Sequence, residues 1–244
     1  MSVSDRLFKR YYANQSRSGT VLFYGRLRQA FDLGAEALNV GAGPGDPVAS
    51  EVFVIRDLRG LGRRVCGCDP DAAVLGNAQL DEARVMAPGG AIPYENGRFQ
   101  IVYADYVLEH VERPGWFLDE VHRVLKPGGR FFFRTPNLYH YVSAAARVLP
   151  HSVHRGVANR ARGLEQGAHE PYPTLHRMNT RRALRKLGEQ AGFTEVHLEM
   201  VEGEPSYLMF NAVAFLLGVA YERTVNASSA LSGLRANIIG SMVK

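Results

Sequence analysis

The chain has 244 residues, 46% of them hydrophobic and 22% charged, an ordinary globular composition that excludes an intrinsically disordered or collagen-like chain. That length admits one elaborated domain, or a domain with a cap, and is too short for two large independent ones. The formal charge of +5 is unevenly spread: residues 147–186 hold nine Arg or Lys against two Glu, a local +7 that leaves the rest of the chain at −2, and seven of the eight histidines fall between His110 and His176.

In chain order, residues 5–14 and 18–33 read as amphipathic helices, the first carrying Tyr11 and Tyr12. Strand-like apolar runs follow at 37–40, 64–68, 83–86, 99–104 and 130–134. Between them, Val48, Val52, Ile55 and Leu58 share a helical face behind Asp46-Pro47, a cap and first-turn pair. Trp116, Phe117, Glu120, Val121, Val124 and Leu125 share a second, closed by the breaker at 126–129. Such alternation predicts a parallel α/β sheet. Residues 137–179 interrupt it with an irregular, basic, His-rich stretch, read as a cap over the sheet's active edge. A helix at 181–191, begun by Thr180 and stopped by Gly192, leads to strands at 193–200 and 237–243. The expected organisation is a helical lid at 1–34, a core at 35–136, the cap at 137–180 and a C-terminal completion of the sheet at 181–244.

Residues 208–221 form an apolar stretch shorter than the roughly 20 residues a spanning helix needs. It reads as a core or homodimer helix ahead of an interfacial membrane helix, because it lacks a lysine-rich polar face. The two cysteines, Cys66 and Cys68, fit a reduced, cytoplasmic protein, and the start of the sequence has no secretory-signal pattern.

The segment 37–46 runs a buried strand through Gly41-Ala42-Gly43-Pro44-Gly45 into a helix start. Glycines serve where backbone must approach a ligand, and a helix N-terminus presents unpaired N–H groups. The spacing is not Gly-x-Gly-x-x-Gly, because Asp46 occupies the last position, and a ligand-free tight turn is the minority alternative on this evidence alone. The next strand ends at Asp69, either an acceptor for two ribose hydroxyls or, ahead of Pro70, a helix cap.

The segments 92–102, Leu108-Glu109-His110 and Leu125-Lys126-Pro127-Gly128-Gly129 decide between these readings. Together with the glycine turn and Asp69 they resemble the class I S-adenosylmethionine-dependent methyltransferases, the small-molecule branch of types 11 and 23. The resemblance runs from about Ala37 to Asn137. The later Tyr172-Pro173-Thr174-Leu175-His176-Arg177 and Ala191-Gly192-Phe193 are similar to methyltransferases of natural-product or glycan pathways. It implies a seven-stranded Rossmann-like sheet with an antiparallel last strand, S-adenosylmethionine as cofactor, and O-methylation of a small molecule, sugar or natural-product intermediate. Gly41, Ala42, Gly43 and Gly45 would surround the methionine end, Asp69 and Pro70 the ribose, and Ala104 and Asp105 would lie beside the cofactor, with Tyr12 closing over it. Tyr106, Tyr139, Tyr172, His176 and Arg177 are the expected acceptor contacts, and His110 the expected general base. Three departures stand out: Asn39 and Gln100 replace acids common in the family, and Pro88-Gly89-Gly90 replaces the region that often binds adenine, leaving that task to backbone groups or Ala91-Ile92.

The basic stretch implies an acceptor carrying phosphate or carboxylate. No nucleic-acid module is visible, and neither His151-x-x-His154 nor His169-Glu170 has the spacing of an established metal site, so metal-independent chemistry is expected. The rival readings are a nicotinamide-dependent oxidoreductase and a cofactor-binding module without transferase activity.

Overall fold

A computed structural model describes residues 3–12, 18–148 and 172–244. Seven strands form one sheet: β1 (Glu36–Val40), β2 (Arg64–Asp69), β3 (Glu82–Val85), β4 (Phe99–Asp105), β5 (Leu125–Pro136), β6 (Glu195–Val201) and β7 (Asn237–Val243), in the order β3-β2-β1-β4-β5-β7-β6. β1 to β5 pair in parallel, with Leu38 opposite both Cys66 and Val102. The last strand is antiparallel. Gly128 N–H donates to the Lys244 carbonyl while Lys244 N–H donates to Gly129, the reciprocal exchange of antiparallel neighbours. Leu38, Val40, Val65, Val102, Phe131 and Phe133 are buried, the near-continuous apolar filling of strands covered on both faces.

The helices are α1 (Val3–Tyr12), α2 (Gly19–Gln29), α3 (Glu51–Arg56), α4 (Pro114–Val124), α5 (Tyr141–Val148), α6 (Arg181–Gln190) and α7 (Ala212–Ala227). Thr180 caps α6 as expected, its hydroxyl accepting from Ala183 N–H. At α3 the expectation fails: Ser50, not Asp46, is the cap, accepting from Phe53 N–H. The cause is local. Gln79 Oε1 takes the Asp46 N–H and Arg56 takes the Asp46 carboxylate, so Asp46 belongs to the preceding turn and Val48 is left 68% exposed.

Leu22–Thr135, Thr174–Glu199 and Ile238–Lys244 form one compact unit, which holds most of the sheet. Met1–Val21, Pro136–Pro173 and Met200–Asn237 form another. The lid, cap and C-terminal pieces expected as consecutive segments are therefore regrouped: the N-terminal helix joins the segment after β5 and the connection between β6 and β7. In that second unit, Leu7, Phe8 and Tyr12 of α1 pack with Met209, Phe215 and Val219. Asn211 caps α7, its Oδ1 accepting from Val213 and Ala214 N–H, so the apolar helix starts four residues later than its hydropathy placed it and ends six later. No helix among the described residues is long and apolar enough to cross a membrane.

Candidate functional site

In the strand order, β1 is flanked by β2 on one side and β4 on the other, the switch point outside whose strand ends open α/β sheets place their ligands. The turn after β1 occupies that position. Gly41, Gly43 and Gly45 all have positive φ, at 75°, 55° and 78°, a conformation costly to residues with a Cβ. Their surroundings differ. A Cβ on Gly41 would stand 2.4 Å from Val107 and one on Gly45 2.4 Å from Asn77, whereas one on Gly43 would meet nothing within 4 Å. Gly43 therefore bounds open space, as a ligand cradle requires.

The turn is held from beneath. Asn77 Nδ2 donates to the carbonyls of Ala42 and Gly43, both at 3.1 Å, and Gln79 ties Asp46 N–H to the Phe53 carbonyl. Asp69 is buried, with Oδ2 accepting from Gly43 N–H at 2.9 Å and Oδ1 from Asp71 N–H at 2.8 Å. The cap reading of Asp69 fails, because Asp71 caps the following turn by accepting from Ala73 N–H. Each Asp69 oxygen keeps further acceptor capacity.

A cavity of about 300 Å³ opens beside the turn, lined by Gly41, Ala42, Pro44 and Gly45 and by Tyr24, Asn39, Arg56, Tyr103, Asp105 and Tyr106 among others. Its charges are balanced. Buried Arg134 holds Asp105 in a bidentate pair at 2.7 and 2.8 Å, and Arg56 lies 3.2 Å from Asp46 and 3.7 Å from Asp105. Arg56 Nε is buried without a hydrogen-bond partner. Tyr106 sits at φ 57° with its ring 4.5 Å from the Arg134 guanidinium. Strain of this kind in a non-glycine residue persists only where surrounding contacts fix it. Burial pushes the Tyr24 phenol well above its usual range, so it stays neutral and cannot act as a base near neutral pH. Burial also pushes Cys66 and Cys68 up to about 12, which makes both inert thiols.

His110 lies in a short 3₁₀ turn after β4, Leu108–His110, with Nε2 4.0 Å from the Glu109 carboxylate. Glu109 is buried and accepts from the Thr135 hydroxyl, which in turn accepts from Asn179 Nδ2. The Glu109 carbonyl accepts from Leu175 and His176 N–H, and Arg177 donates to the Glu112 carbonyl. Tyr106, His110, His176 and Arg177 thus share the sheet unit, while Tyr139 and Tyr172 belong to the other, both exposed.

Several expected residues have different local roles. Tyr12 is buried and its hydroxyl donates to Glu222 at 3.3 Å, an intramolecular anchor for α1 in place of a contact held for the cofactor. Ala104 is fully buried, and Asp105 faces the cavity already paired with Arg134. Ile92 N–H is taken by Glu120, which removes one backbone group considered for adenine. Gln100 braces the strand ends by accepting from Glu36 N–H. His151, His154, His169 and Glu170 lie outside the described residues, and among those described no group of three or more His, Cys, Asp or Glu is placed to hold a metal. Sequence reasoning missed Tyr24, Arg56, Tyr103, Asn77, Gln79 and Arg134. Arg134 alone carried a signal, as a charge ending an otherwise apolar strand.

A family profile described as a methyltransferase domain matches residues 12–198. The chain belongs to that methyltransferase family. S-adenosylmethionine is the donor used by the family, and the open Gly43 face, the spare acceptor capacity of Asp69 and the unpaired Arg56 Nε fit it. A ubiquinone biosynthesis O-methyltransferase of Burkholderia orbicola is 32% identical over 137 residues, covering 50% of this chain and 56% of the relative. The chain thus spans about half the length of the curated relatives it matches. Among solved structures, Haemonchus contortus phosphoethanolamine N-methyltransferase 2, in complex with phosphomonomethylethanolamine and S-adenosylhomocysteine, superposes with a TM-score of 0.55 at 15% identity, over 100% of this chain and 58% of that one. The [4+2]-cyclase SpnF gives 0.55 at 16% identity, over 96% and 85%. At such identities these likenesses establish the fold alone.

Proposed function

We propose that this chain catalyses S-adenosylmethionine-dependent O-methylation of a small molecule, sugar or natural-product intermediate. The observation that carries this reading is the crevice at the switch point between β1 and β4, where a glycine turn with an open Gly43 face meets the Asp69 carboxylate. The match to an O-methyltransferase over 137 residues supports oxygen as the acceptor atom. The backbone at 41–45 embraces the amino-acid end of the cofactor, Arg56 receives its carboxylate, and Asp69 receives the ribose diol by charge-assisted hydrogen bonds. When bound, S-adenosylmethionine supplies an electrophilic methyl group on a sulfonium that loses its charge on transfer. The protein's share of the work is alignment and exclusion of water. Tyr106 is the contact on the acceptor side, fixed by Arg134. His110 takes the acceptor's hydroxyl proton, and Glu109 stabilises the imidazolium that forms.

The acceptor's phosphate or carboxylate is met by Arg177 and by Arg181 at the start of α6. Arg177→Gln with Arg181→Gln is expected to raise acceptor KM and flatten its salt dependence, and unchanged values would assign those cations to a solvated face.

Because a [4+2]-cyclase shares the fold, the fold alone does not establish transfer, and turnover is the test. With a panel of phenolic and sugar hydroxyl acceptors, methylated product is expected, and His110→Gln is expected to lower kcat by about 10²–10⁴ while leaving S-adenosylhomocysteine affinity unchanged. Cofactor binding with no product from any acceptor would favour a non-catalytic module. An unchanged kcat in His110→Gln would remove the base and leave alignment as the source of rate.

A further inference from the structure

The cavity beside the glycine turn has an uneven supply of polar groups, and its lining lies within one compact unit. Asn39 and Tyr103 are register partners on β1 and β4, so their side chains share one face of the sheet. Tyr24 of α2 meets the Tyr103 ring edge-on at 6.4 Å, and the Arg56 guanidinium lies 5.9 Å from the Tyr24 ring. Tyr24 and Tyr103 are only 3% and 2% exposed, yet neither hydroxyl has a hydrogen bond to another described residue. Arg56 Nε is buried in the same condition. Burial and the Asp105 carboxylate push both phenols above their usual range, so both keep their protons and can donate.

Acceptors are scarce by comparison. Asp105 is held bidentately by Arg134, and Asp46 by Arg56. The position on β1 where the family commonly carries an acid is the neutral Asn39. The charges of Asp46 and Asp105 are thus cancelled by Arg56 and Arg134. Among its lining residues the cavity keeps no spare carboxylate for a cation, but it keeps three unpaired buried donors for an anion.

We propose that this chain selects its methyl donor by the donor's carboxylate and not by its ammonium group, with the Tyr24 and Tyr103 hydroxyls joining Arg56 Nε around the carboxylate and Asn39 leaving the ammonium weakly held. This rests on the methyl-donor reading of the crevice and adds a selectivity that the glycine turn does not carry. Hydrogen bonds to a charged acceptor are about twice as strong as neutral ones, whereas the ammonium meets only neutral oxygens here. A ligand without the carboxylate strands three buried donors, and a site built around such donors rejects the analogue that cannot pair them.

Titration calorimetry of the wild-type chain with S-adenosylhomocysteine, its decarboxylated analogue and its deaminated analogue tests the selectivity without turnover. Loss of the carboxylate should weaken binding at least about a hundredfold, and loss of the amino group less than about tenfold. Tyr24→Phe and Tyr103→Phe remove only the unbonded hydroxyls. Each should weaken S-adenosylhomocysteine about tenfold and leave the decarboxylated analogue unchanged, and Arg56→Gln should show the same pattern. Asn39→Asp should raise the cost of deamination above about tenfold. The proposal is overturned if deamination costs the wild-type chain as much as decarboxylation. It is also overturned if either phenylalanine variant binds S-adenosylhomocysteine as wild type does or weakens both ligands alike, or if Asn39→Asp leaves the cost of deamination unchanged. Failure of S-adenosylhomocysteine itself to bind would overturn the methyl-donor reading and this proposal together, whereas binding without preference for the carboxylate would overturn this proposal alone.

Discussion

Replacing Asp69 with Ala separates its two tasks. In the structure the carboxylate accepts from Gly43 N–H at 2.9 Å and from Asp71 N–H at 2.8 Å, clamping the glycine turn to the loop after β2. Each bond to a charged acceptor is worth about 1.5–3 kcal/mol. Because the clamp is only partly buried, the lower figure applies, and Asp69→Ala should cost about 3 kcal/mol of stability. If the remaining acceptor capacity binds a ribose diol, two further bonds vanish, and S-adenosylhomocysteine affinity should fall at least about a hundredfold. Asn77→Ala is the control, since its carboxamide braces the same turn through the Ala42 and Gly43 carbonyls with neutral bonds worth about 1 kcal/mol each. Denaturant midpoints and titration calorimetry read the two quantities. Asp69→Ala should lose both stability and affinity, and Asn77→Ala should lose stability with less than about a tenfold change in affinity. Loss of stability in Asp69→Ala with affinity intact would show that the carboxylate only braces the turn and would refute the ribose assignment.

Gly43→Ala should cost about 1 kcal/mol, the penalty of positive φ alone, yet abolish measurable S-adenosylhomocysteine binding by calorimetry. Gly41→Ala should cost more, about 2–4 kcal/mol in a urea melt, because its Cβ also collides with Val107. Arg134→Met leaves the largely buried Asp105 with only Arg56 at 3.7 Å and should destabilise by about 3–5 kcal/mol, much of it recovered in Arg134→Met/Asp105→Leu. In the second unit, burial pushes Glu202 up to about 8 and His140 down to about 4, with the two side chains 3.6 Å apart. A raised carboxyl contributes stability below its unfolded pKa and loses it as pH rises to 8, while a lowered imidazole loses its contribution as pH falls from 6.5 toward 4. The two slopes oppose each other below pH 6.5. Unfolding free energy, read from denaturant melts, should therefore stay level from about pH 5 to 6.5 and fall from 6.5 to 8, by at most about 1.4 kcal/mol per pH unit, and Glu202→Gln should remove that fall.

Much of the fold is legible where one principle acts alone. Leu38, Val40, Val102, Phe131 and Phe133 are apolar because the strands are covered on both faces, and the strand ranges read from the sequence match within a residue or two at β1 to β4. β5 begins five residues earlier than expected because Phe99 pairs with Leu125 ahead of the irregularity before Ile101. Helix starts were less legible where a distant side chain intervened: nothing local in Asp46-Pro47 announces that Gln79 and Arg56 claim Asp46. The cavity wall shows the same limit. Gly41, Gly43, Gly45 and Asp69 are visible through turn chemistry, whereas Tyr24 and Arg56 reach the cavity only through the packing of α2 and α3 beside the sheet.

Hydrogen exchange with and without S-adenosylhomocysteine tests the central claim most directly, because it reports both whether the cofactor binds and where. Protection is expected in peptides covering residues 41–46, 69–71 and 103–106, with no protection on adding a nicotinamide dinucleotide. Unchanged exchange at residues 41–46 under saturating S-adenosylhomocysteine, or equal protection by the nicotinamide dinucleotide, would contradict the assignment of this crevice to a methyl donor.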